Sequence, residues 1–363
     1  MIYDYLIVGC GLYGATFAHM AKEKNKKCLI IDSRDHIAGN CYTERKEDIN
    51  IHKYGPHIFH TNNDEIWNFI NKFARFNNYI NRPKVNFKNK LYSFPINLFT
   101  LYQLWGVTNP SEALIKLDQV KIKIDDPKNL EEWILSQVGE EIYYTFIHGY
   151  TKKQWGREPK ELPSFIIKRL PIRLNFEDNY FFDKYQGIPV GGYTEIVKNM
   201  TEGADVILKE NYFDKRDFWN SKAKTVVYTG KIDEFYNYKY GVLEYRSLRF
   251  ETEKINIKDY QGNAIVNYTE EKIPFTRIIE HKHFEFGAQD YTYITREYPE
   301  NWDKNKIPYY PINDDKNNAL YKKYLSLNKS NDILFGGRLA EYKYYDMHQI
   351  IGSAINKFNK TTK

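Results

Sequence analysis

The spacing of apolar and polar positions changes along the chain, and each change marks a different kind of element. "YLIVG", from Tyr5 to Gly9, is a short apolar run rich in β-branched residues, which predicts a buried parallel strand. "LYGATFAHMAKEK" then reads as a helix, and "KCLIID" as a second strand ending at Asp32. From about Pro95 to Leu170 the pattern turns helical. "NPSEALIKLDQV" carries Asn109 as N-cap, Pro110 at the first helical position and Glu112 at the third, a capping-box arrangement. "KNLEEWILSQV" repeats that logic with Asn129 and Glu132, and Gly139 is expected to end it. Beyond Gly187, "GIPVGGYTEIVKNM" predicts a glycine turn entering a helix, and "ADVIL" and "TVVYTG" predict further strands. "VLEYRSLRFETEKI" and "YTYITREYP" alternate in period two and predict antiparallel strands. A last strand, "DILFGG", precedes a helix that starts near Asp346, with Met347, Ile350 and Ile351 on one face.

The first strand, helix and strand form a unit with specific chemistry. Gly9, Gly11 and Gly14 stand in the spacing G-x-G-x-x-G, and Asp32 lies 18 residues beyond Gly14. Gly9 allows the tight turn, Gly11 lets a pyrophosphate approach the backbone, and Gly14 lets helix and strand pack closely. The helix N-terminus faces phosphates, and Asp32 can accept a ribose hydroxyl. This is a dinucleotide-binding fingerprint. "DSRDHIAGNCYT" follows, with Arg34, Gly39 and Asn40 just past the acidic strand end. A Gly-Asn turn there suits a long extended cofactor, which favours FAD over NAD. A second glycine turn with a basic residue, Gly336-Gly337-Arg338, fits a remaining cofactor phosphate.

Composition narrows the class. The chain has 363 residues, enough for two or three packed units, and 42% of them are hydrophobic. Aromatics reach 17%, with 32 Tyr, a residue suited to cores and to ligand pockets. The net charge of +6 lacks any basic block of nucleic-acid type and fits a small anionic ligand. Cys10, Cys28 and Cys41 have no metal-type spacing, so a reducing, cytoplasmic setting is expected, with no disulfide framework. Nothing reads as a membrane span or a secretory signal.

Three other stretches carry candidate chemistry. In "KYGPHIFHT", His57 and His60 are three apart. They read as a metal pair without a third ligand nearby, as histidines satisfied in a turn, or as a loop facing the cofactor ring. "GYTKKQWGREPKELP" reads as a mobile loop beside a helix end, with Trp155 either a stacking platform for a planar base or packed onto its own domain. "KRLPIR" and "TRIIEHKHF" supply Arg169, Arg173 and Arg277, whose guanidinium forks match phosphate oxygens.

Taken together, "VGCGLYGA", "HIAGNCYT", "YGPHIFHT", "YTKKQWG", "KRLPIR", "IPVGGYTEIV", "YTGKIDEFY", "EYP", "YYPI" and "GGRLAEYKYYDMHQII" make the chain resemble the bacterial UDP-galactopyranose mutases over nearly its whole length. The resemblance implies an α/β protein: a Rossmann-like FAD-binding domain with an inserted helical domain and an antiparallel β-sheet domain. The expected boundaries are 1–80 with 187–240 and 315–363 for the FAD domain, 81–170 for the helical domain, and 171–186 with 241–314 for the sheet. The implied activity interconverts UDP-galactopyranose and UDP-galactofuranose on FAD in its reduced form, through a bond between flavin N5 and sugar C1. It would supply galactofuranose for cell-surface glycans, and the family implies a homodimer with no metal, nucleic acid or membrane partner. Carried over by motif, Tyr150, Trp155, Arg169, Tyr180, Arg277, Tyr310, Tyr344 and Asp346 would hold substrate, with Tyr309 the alternative to Tyr310. Arg169, Arg277, His60 and His57 would act at the reacting centre. The cofactor would rest on Gly9, Gly11, Leu12, Tyr13, Gly14, Asp32, Ser33, Arg34, Gly39, Asn40, His57, Ile58, Gly337, Arg338, Asp346, Met347 and Ile350. The family more often has a second glycine where this chain has Ala38. The rival readings are the same chemistry on UDP-N-acetylgalactosamine, a flavin amine oxidase-like oxidoreductase, and a module that binds FAD or UDP without converting either.

Overall fold

A computed structural model describes residues 2–162, 172–330 and 332–361, so Arg169 lies outside the described residues. The chain divides into two compact units. The first comprises Met1–Asn78, Asp183–Tyr245 and Lys304–Lys363; the second comprises Tyr79–Phe182 and Arg246–Asp303.

The first unit is built on a parallel sheet. Its strands run in the order Ile333–Phe335, Ala223–Tyr228, Tyr3–Val8, Cys28–Asp32 and Asp205–Leu208. Leu6 pairs with Val226 on one side and Leu29 on the other. The central strands read as unbroken apolar runs because both faces are covered. Helix Leu12–Lys22 returns across one face, as the strand–helix–strand pattern predicts. The C-terminal helix Met347–Thr361 packs against it through Ile351, Ala354 and Phe358, a helical spacing that puts all three on one buried face. Phe17 is wholly buried between them, edge-on to Tyr5 at 5.1 Å and to Phe358 at 5.3 Å. The last helix of the chain is thereby fixed to the first.

The second unit holds both the helical segment and the strands of alternating pattern. Helices Leu98–Trp105, Pro110–Val120, Leu130–Ile142 and His148–Trp155 surround a core that includes Leu101, Leu117, Ile134 and Tyr143. Asn109 and Asn129 each cap a helix by accepting from the N–H three residues on. The glutamates there reach past the cap: Glu112 accepts from the Thr108 N–H and Glu132 from the Lys128 N–H. Gly139, at φ 75 and ψ -179, is not helical, so the first helical stretch stops there as expected and a second follows across a kink. Tyr245–Ile255 pairs antiparallel with Thr292–Asn301, from Arg246 opposite Asn301 to Ile255 opposite Thr292. Arg277–Glu280 and Ile265–Tyr268 follow, and Ile265–Tyr268 pairs parallel with Lys84–Phe87, so the sheet is mixed. The hairpin of Lys84–Phe87 with Lys90–Ser93 sits inside the 81–170 span expected for the helical domain, ahead of the helical pattern that starts near Pro95. Its turn residues, Lys88 and Asn89, both take positive φ, a tight-turn geometry that Gly usually signals.

Phe17→Ala is expected to lower stability by about 3–5 kcal/mol, because a full ring is lost at a closed contact. Thermal unfolding followed by circular dichroism measures it.

Candidate functional site

Two turns at the carboxyl ends of the parallel strands build the first part of the site. Gly9 sits at φ +110, and a Cβ there would lie 2.0 Å from Thr229 Oγ1. A Cβ on Gly14 would lie 2.1 Å from the Gly9 carbonyl. Both positions admit only glycine without a shift of the surrounding chain. Asp32 ties this turn to the next. One carboxylate oxygen accepts from the Cys10 N–H at 2.7 Å, the other from the Arg34 N–H at 2.9 Å. The Ala38 N–H donates to the Cys10 carbonyl at 2.8 Å, which draws the second turn onto the first. A Cβ on Gly39 would come within 3.1 Å of the Gly11 Cα. Ala38 itself takes φ 74, the left-handed region that favours glycine.

A cavity of about 490 Å³ opens at these turns. Its walls include Gly9, Gly11, Leu12, Tyr13, Asp32, Ser33, Arg34, Gly39, Asn40, His57, Gly337, Arg338, Met347 and Ile350. Gly14, Ile58 and Asp346 are not among them; Gly14 packs behind the turn instead. The walls also include residues outside the expected cofactor set: Asn211–Phe213, Thr229–Lys231, Lys304–Pro308 and Tyr345. The strand end "YTGK" was a visible signal for Thr229–Lys231, being one more strand stopping at glycine. The segment 304–308 has no such mark.

The cavity suits a dinucleotide phosphate. The helix Leu12–Lys22 starts at Gly11 with no side-chain cap and no acid in its first turn, which leaves its N–H groups to an anion. Arg34 donates to the Asn40 side chain at 2.7 Å and stacks 4.6 Å from the Tyr54 ring centroid. Its Nη1 is buried with no partner among the described residues, a donor awaiting an acceptor. Arg338 donates to the Tyr345 carbonyl at 2.9 Å. Burial pushes the thiols of Cys10, Cys28 and Cys41 up to about 12, so none is a thiolate nucleophile near neutral pH.

The two histidines of "YGPHIFHT" part company. His57 lines the cavity, and its Nδ1 lies 2.8 Å from the Gly55 carbonyl, which must accept from it. Burial, first, and Arg338, against the pull of that carbonyl, bring its pKa down to about 4. The ring is therefore neutral at neutral pH. His60 faces elsewhere: its Nδ1 lies 2.8 Å from Asp183, and its ring centroid 5.2 Å from that of His348. His60, Asp346 and His348 bring one polar atom each within 4.8 Å of one another. In the same unit Tyr309 is buried, while Tyr310 is half-buried with its ring 5.4 Å from that of Tyr344.

In the second unit the "YTKKQWG" motif is not the polar loop that its composition predicts. It forms the end of helix His148–Trp155, closed by Gly156 at φ 64. Trp155 is the last helical residue, half-buried against the helical core. The reason lies in its neighbour. Lys153 buries its ammonium and donates to three carbonyls, Tyr268 at 2.7 Å, Ile273 at 3.0 Å and Phe275 at 2.9 Å. That anchor turns a polar-looking stretch into a fixed helix end within the second unit. Arg277 pairs with the buried carboxylate of Glu297 at 3.1 Å and donates to the Tyr150 hydroxyl. Burial, against the Arg277 charge, lifts that hydroxyl's pKa to about 12. Tyr180 is exposed, 6.4 Å from Phe94 ring to ring. Arg173 donates through Nη1 to the carbonyls of Glu177 and Asn179 and stacks 4.0 Å from Phe182, while its Nε is buried with no partner among the described residues.

Comparison with known proteins agrees with this geometry. A family model described as UDP-galactopyranose mutase matches residues 145–344, and one described as an NAD(P)-binding Rossmann-like domain matches residues 7–73. The chain is 44% identical to the dTDP-fucopyranose mutase of Escherichia coli, over 96% of each chain. It is 41% identical to the probable UDP-galactopyranose mutase of Klebsiella pneumoniae, over 97% of this chain and 93% of that one. It is 34% identical to the UDP-galactopyranose mutase of Mycoplasma genitalium, over 98% and 94%. Among solved structures, a reduced UDP-galactopyranose mutase shares the fold at TM-score 0.77 with 13% identity, over 99% of this chain and 95% of that one. A putrescine oxidase shares it at TM-score 0.58 with 11% identity, over 100% of this chain and 99% of that one.

Ala38→Gly is expected to stabilise the protein by about 0.5–1 kcal/mol, because it relieves a left-handed alanine. A raised melting temperature with unchanged cofactor content checks it. His57 is held neutral in the fold, so its contribution is fully present above its ordinary value of 6.5 and is lost as pH falls towards about 4. Melting temperature should fall over that window in the wild type, and fall less steeply in His57→Gln.

Proposed function

The chain belongs to the UDP-galactopyranose mutase family and is an isomerase with a Rossmann-like, flavin-type binding domain; from that premise we propose that it contracts UDP-galactopyranose to UDP-galactofuranose, and reverses the step, on FAD in its reduced form. The observation that carries the cofactor part is the pair of apposed glycine turns joined through Asp32, with an Arg34 nitrogen beside them that has no partner among the described residues. The family resemblance supports a homodimer.

Ring contraction requires the bond from C1 to the nucleotide to break and the sugar ring to open and reclose. Reduced flavin supplies a nucleophilic ring nitrogen for this chemistry. The side chains are left with orientation and charge. Gly9, Gly11, Gly39 and the first N–H groups of helix Leu12–Lys22 would hold the cofactor diphosphate, with Arg34 and Arg338 adding charge-assisted bonds. Neutral His57 would offer the cofactor a hydrogen bond without a charge. Arg277 would stabilise negative charge on the leaving diphosphate, with Arg169 as its expected partner. Tyr150, Trp155, Tyr180, Tyr310, Tyr344 and Asp346 are the remaining proposed substrate contacts.

A second reading has its own support. The Escherichia coli relative at 44% identity is a dTDP-fucopyranose mutase, so a dTDP-linked 6-deoxyhexose is the competing substrate. Purified protein would be incubated with UDP-galactofuranose and with dTDP-fucofuranose, each with and without dithionite, and products followed by chromatography. Conversion of the UDP sugar only under reduction supports the main reading. A kcat/KM at least about tenfold higher for the dTDP sugar, some 1.4 kcal/mol of preference, transfers the assignment.

Arg277 is best tested by lysine, not alanine. Alanine would leave Glu297 buried and unpaired, a loss of about 3–5 kcal/mol in itself. Arg277→Lys keeps the charge opposite Glu297 and removes the planar fork. We expect it to retain flavin and lose about tenfold or more in kcat/KM; near-normal turnover would remove Arg277 from the diphosphate site.

A further inference from the structure

Arg34 stands in the cavity wall, yet much of what holds it lies outside that wall. Its main-chain N–H donates to Asp32 Oδ1 at 2.9 Å, and its Nη2 donates to the Asn40 side chain at 2.7 Å. Arg34, Asp32 and Asn40 all line the cavity. The next support comes from behind. The guanidinium carbon lies 4.6 Å from the Tyr54 ring centroid, within cation–π range. The Tyr54 hydroxyl lies 2.7 Å from His36 Nε2. His36 Nδ1 lies 2.8 Å from the Ile37 carbonyl. A carbonyl only accepts, so Nδ1 carries the proton, and in the neutral ring Nε2 accepts from Tyr54. The His36 ring in turn stacks on Tyr42, with centroids 3.9 Å apart and planes 20° apart.

The hairpin of Thr43–Lys46 with Ile49–His52 is what brings these rings together. It pairs Thr43 with His52, so Tyr42 and Tyr54 leave its open end side by side, and the Lys53 N–H donates to the Tyr42 carbonyl at 3.2 Å. Tyr42, Tyr54 and His36 are not among the cavity's walls. Whatever they contribute to a ligand there must pass through Arg34. The two groups that hold its fork, an amide and an aromatic ring, are neutral, so they orient the charge without cancelling it.

We propose that Tyr54 and His36 are positioning residues, which hold the Arg34 fork at the cavity wall for a phosphate oxygen of the dinucleotide cofactor. This rests on the FAD reading.

Wild type and variants would be purified with FAD bound, and dissociation constants read from the fluorescence of released flavin. Arg34→Ala and Tyr54→Leu should each weaken FAD binding about tenfold or more. In the Arg34→Ala background, Tyr54→Leu should add less than about twofold. Tyr54→Phe keeps the ring against the guanidinium and loses only the bond to His36. It should cost about two- to fourfold, His36→Phe the same, and the two together no more. Arg34→Lys keeps the charge and should bind FAD at least about threefold better than Arg34→Gln, a neutral donor; the reverse order overturns the phosphate as its ligand. Equal losses from Tyr54→Leu with and without Arg34 would make Tyr54 a mere support of the hairpin, and would overturn the proposal. So would binding by Tyr54→Leu within about twofold of wild type. If Tyr54→Leu does not fold, Tyr54→Phe and His36→Phe carry the test, and unchanged binding in both overturns it. A wild type that holds no FAD sinks the cofactor reading together with this proposal, whereas a wild type that binds FAD alongside an indifferent Tyr54 sinks the proposal alone.

Discussion

One carboxylate organises the first unit. Asp32 stands at the end of its strand and accepts from two main-chain N–H groups in two different turns. Without those bonds the N–H groups of Cys10 and Arg34 would lose their partner, and the turns would lose their mutual register. The wall at Gly9, Gly11, Gly39 and Asn40 depends on that register. A carboxylate oxygen has two acceptor sites, so Asp32 can do this and still receive a ribose hydroxyl. The residue that a motif assigns to the ligand is thus also a structural bolt.

The second unit shows the opposite relation between charge and chemistry. Its sequence offers several arginines, among them Arg173 and Arg277, whose forks read as candidates for phosphate oxygens. In the fold, Lys153, Arg173 and Arg246 donate mainly to main-chain carbonyls of their own unit. They close loops and helix ends that would otherwise leave buried acceptors unmet. Arg277 differs, because its partners are the Glu297 carboxylate and the Tyr150 hydroxyl. A guanidinium held by a buried carboxylate keeps one geometry.

The histidine segment combines both relations within four residues. His57 and His60 differ in role because strand Phe59–Thr61 pairs with Tyr185–Gly187, which brings Asp183 to His60 and leaves His57 at the cavity. A spacing of three could not distinguish a shared ligand from two separate duties. The pairing strand, over a hundred residues away, does.

Local pattern determined a good deal. The apolar runs predicted the central parallel strands, the glycine spacing placed the first turn, and Asn109 and Asn129 marked their helix starts, because each of these depends on residues within one turn or one strand. Part of the cavity's lining was legible for the same reason: Gly9 to Arg34 is contiguous chain, and the quoted motifs include Gly337, Arg338, Met347 and Ile350. Distant packing decided the rest. The hairpin at Lys84–Ser93 exists because Ile265–Tyr268 offers it an edge. Trp155 is in a helix because Lys153 finds three carbonyls from a remote loop. Asp183 meets His60, and Glu297 meets Arg277, only once strands distant in sequence lie side by side. Such contacts leave no periodicity in the chain, since their partners are set by how sheets and helices close on one another.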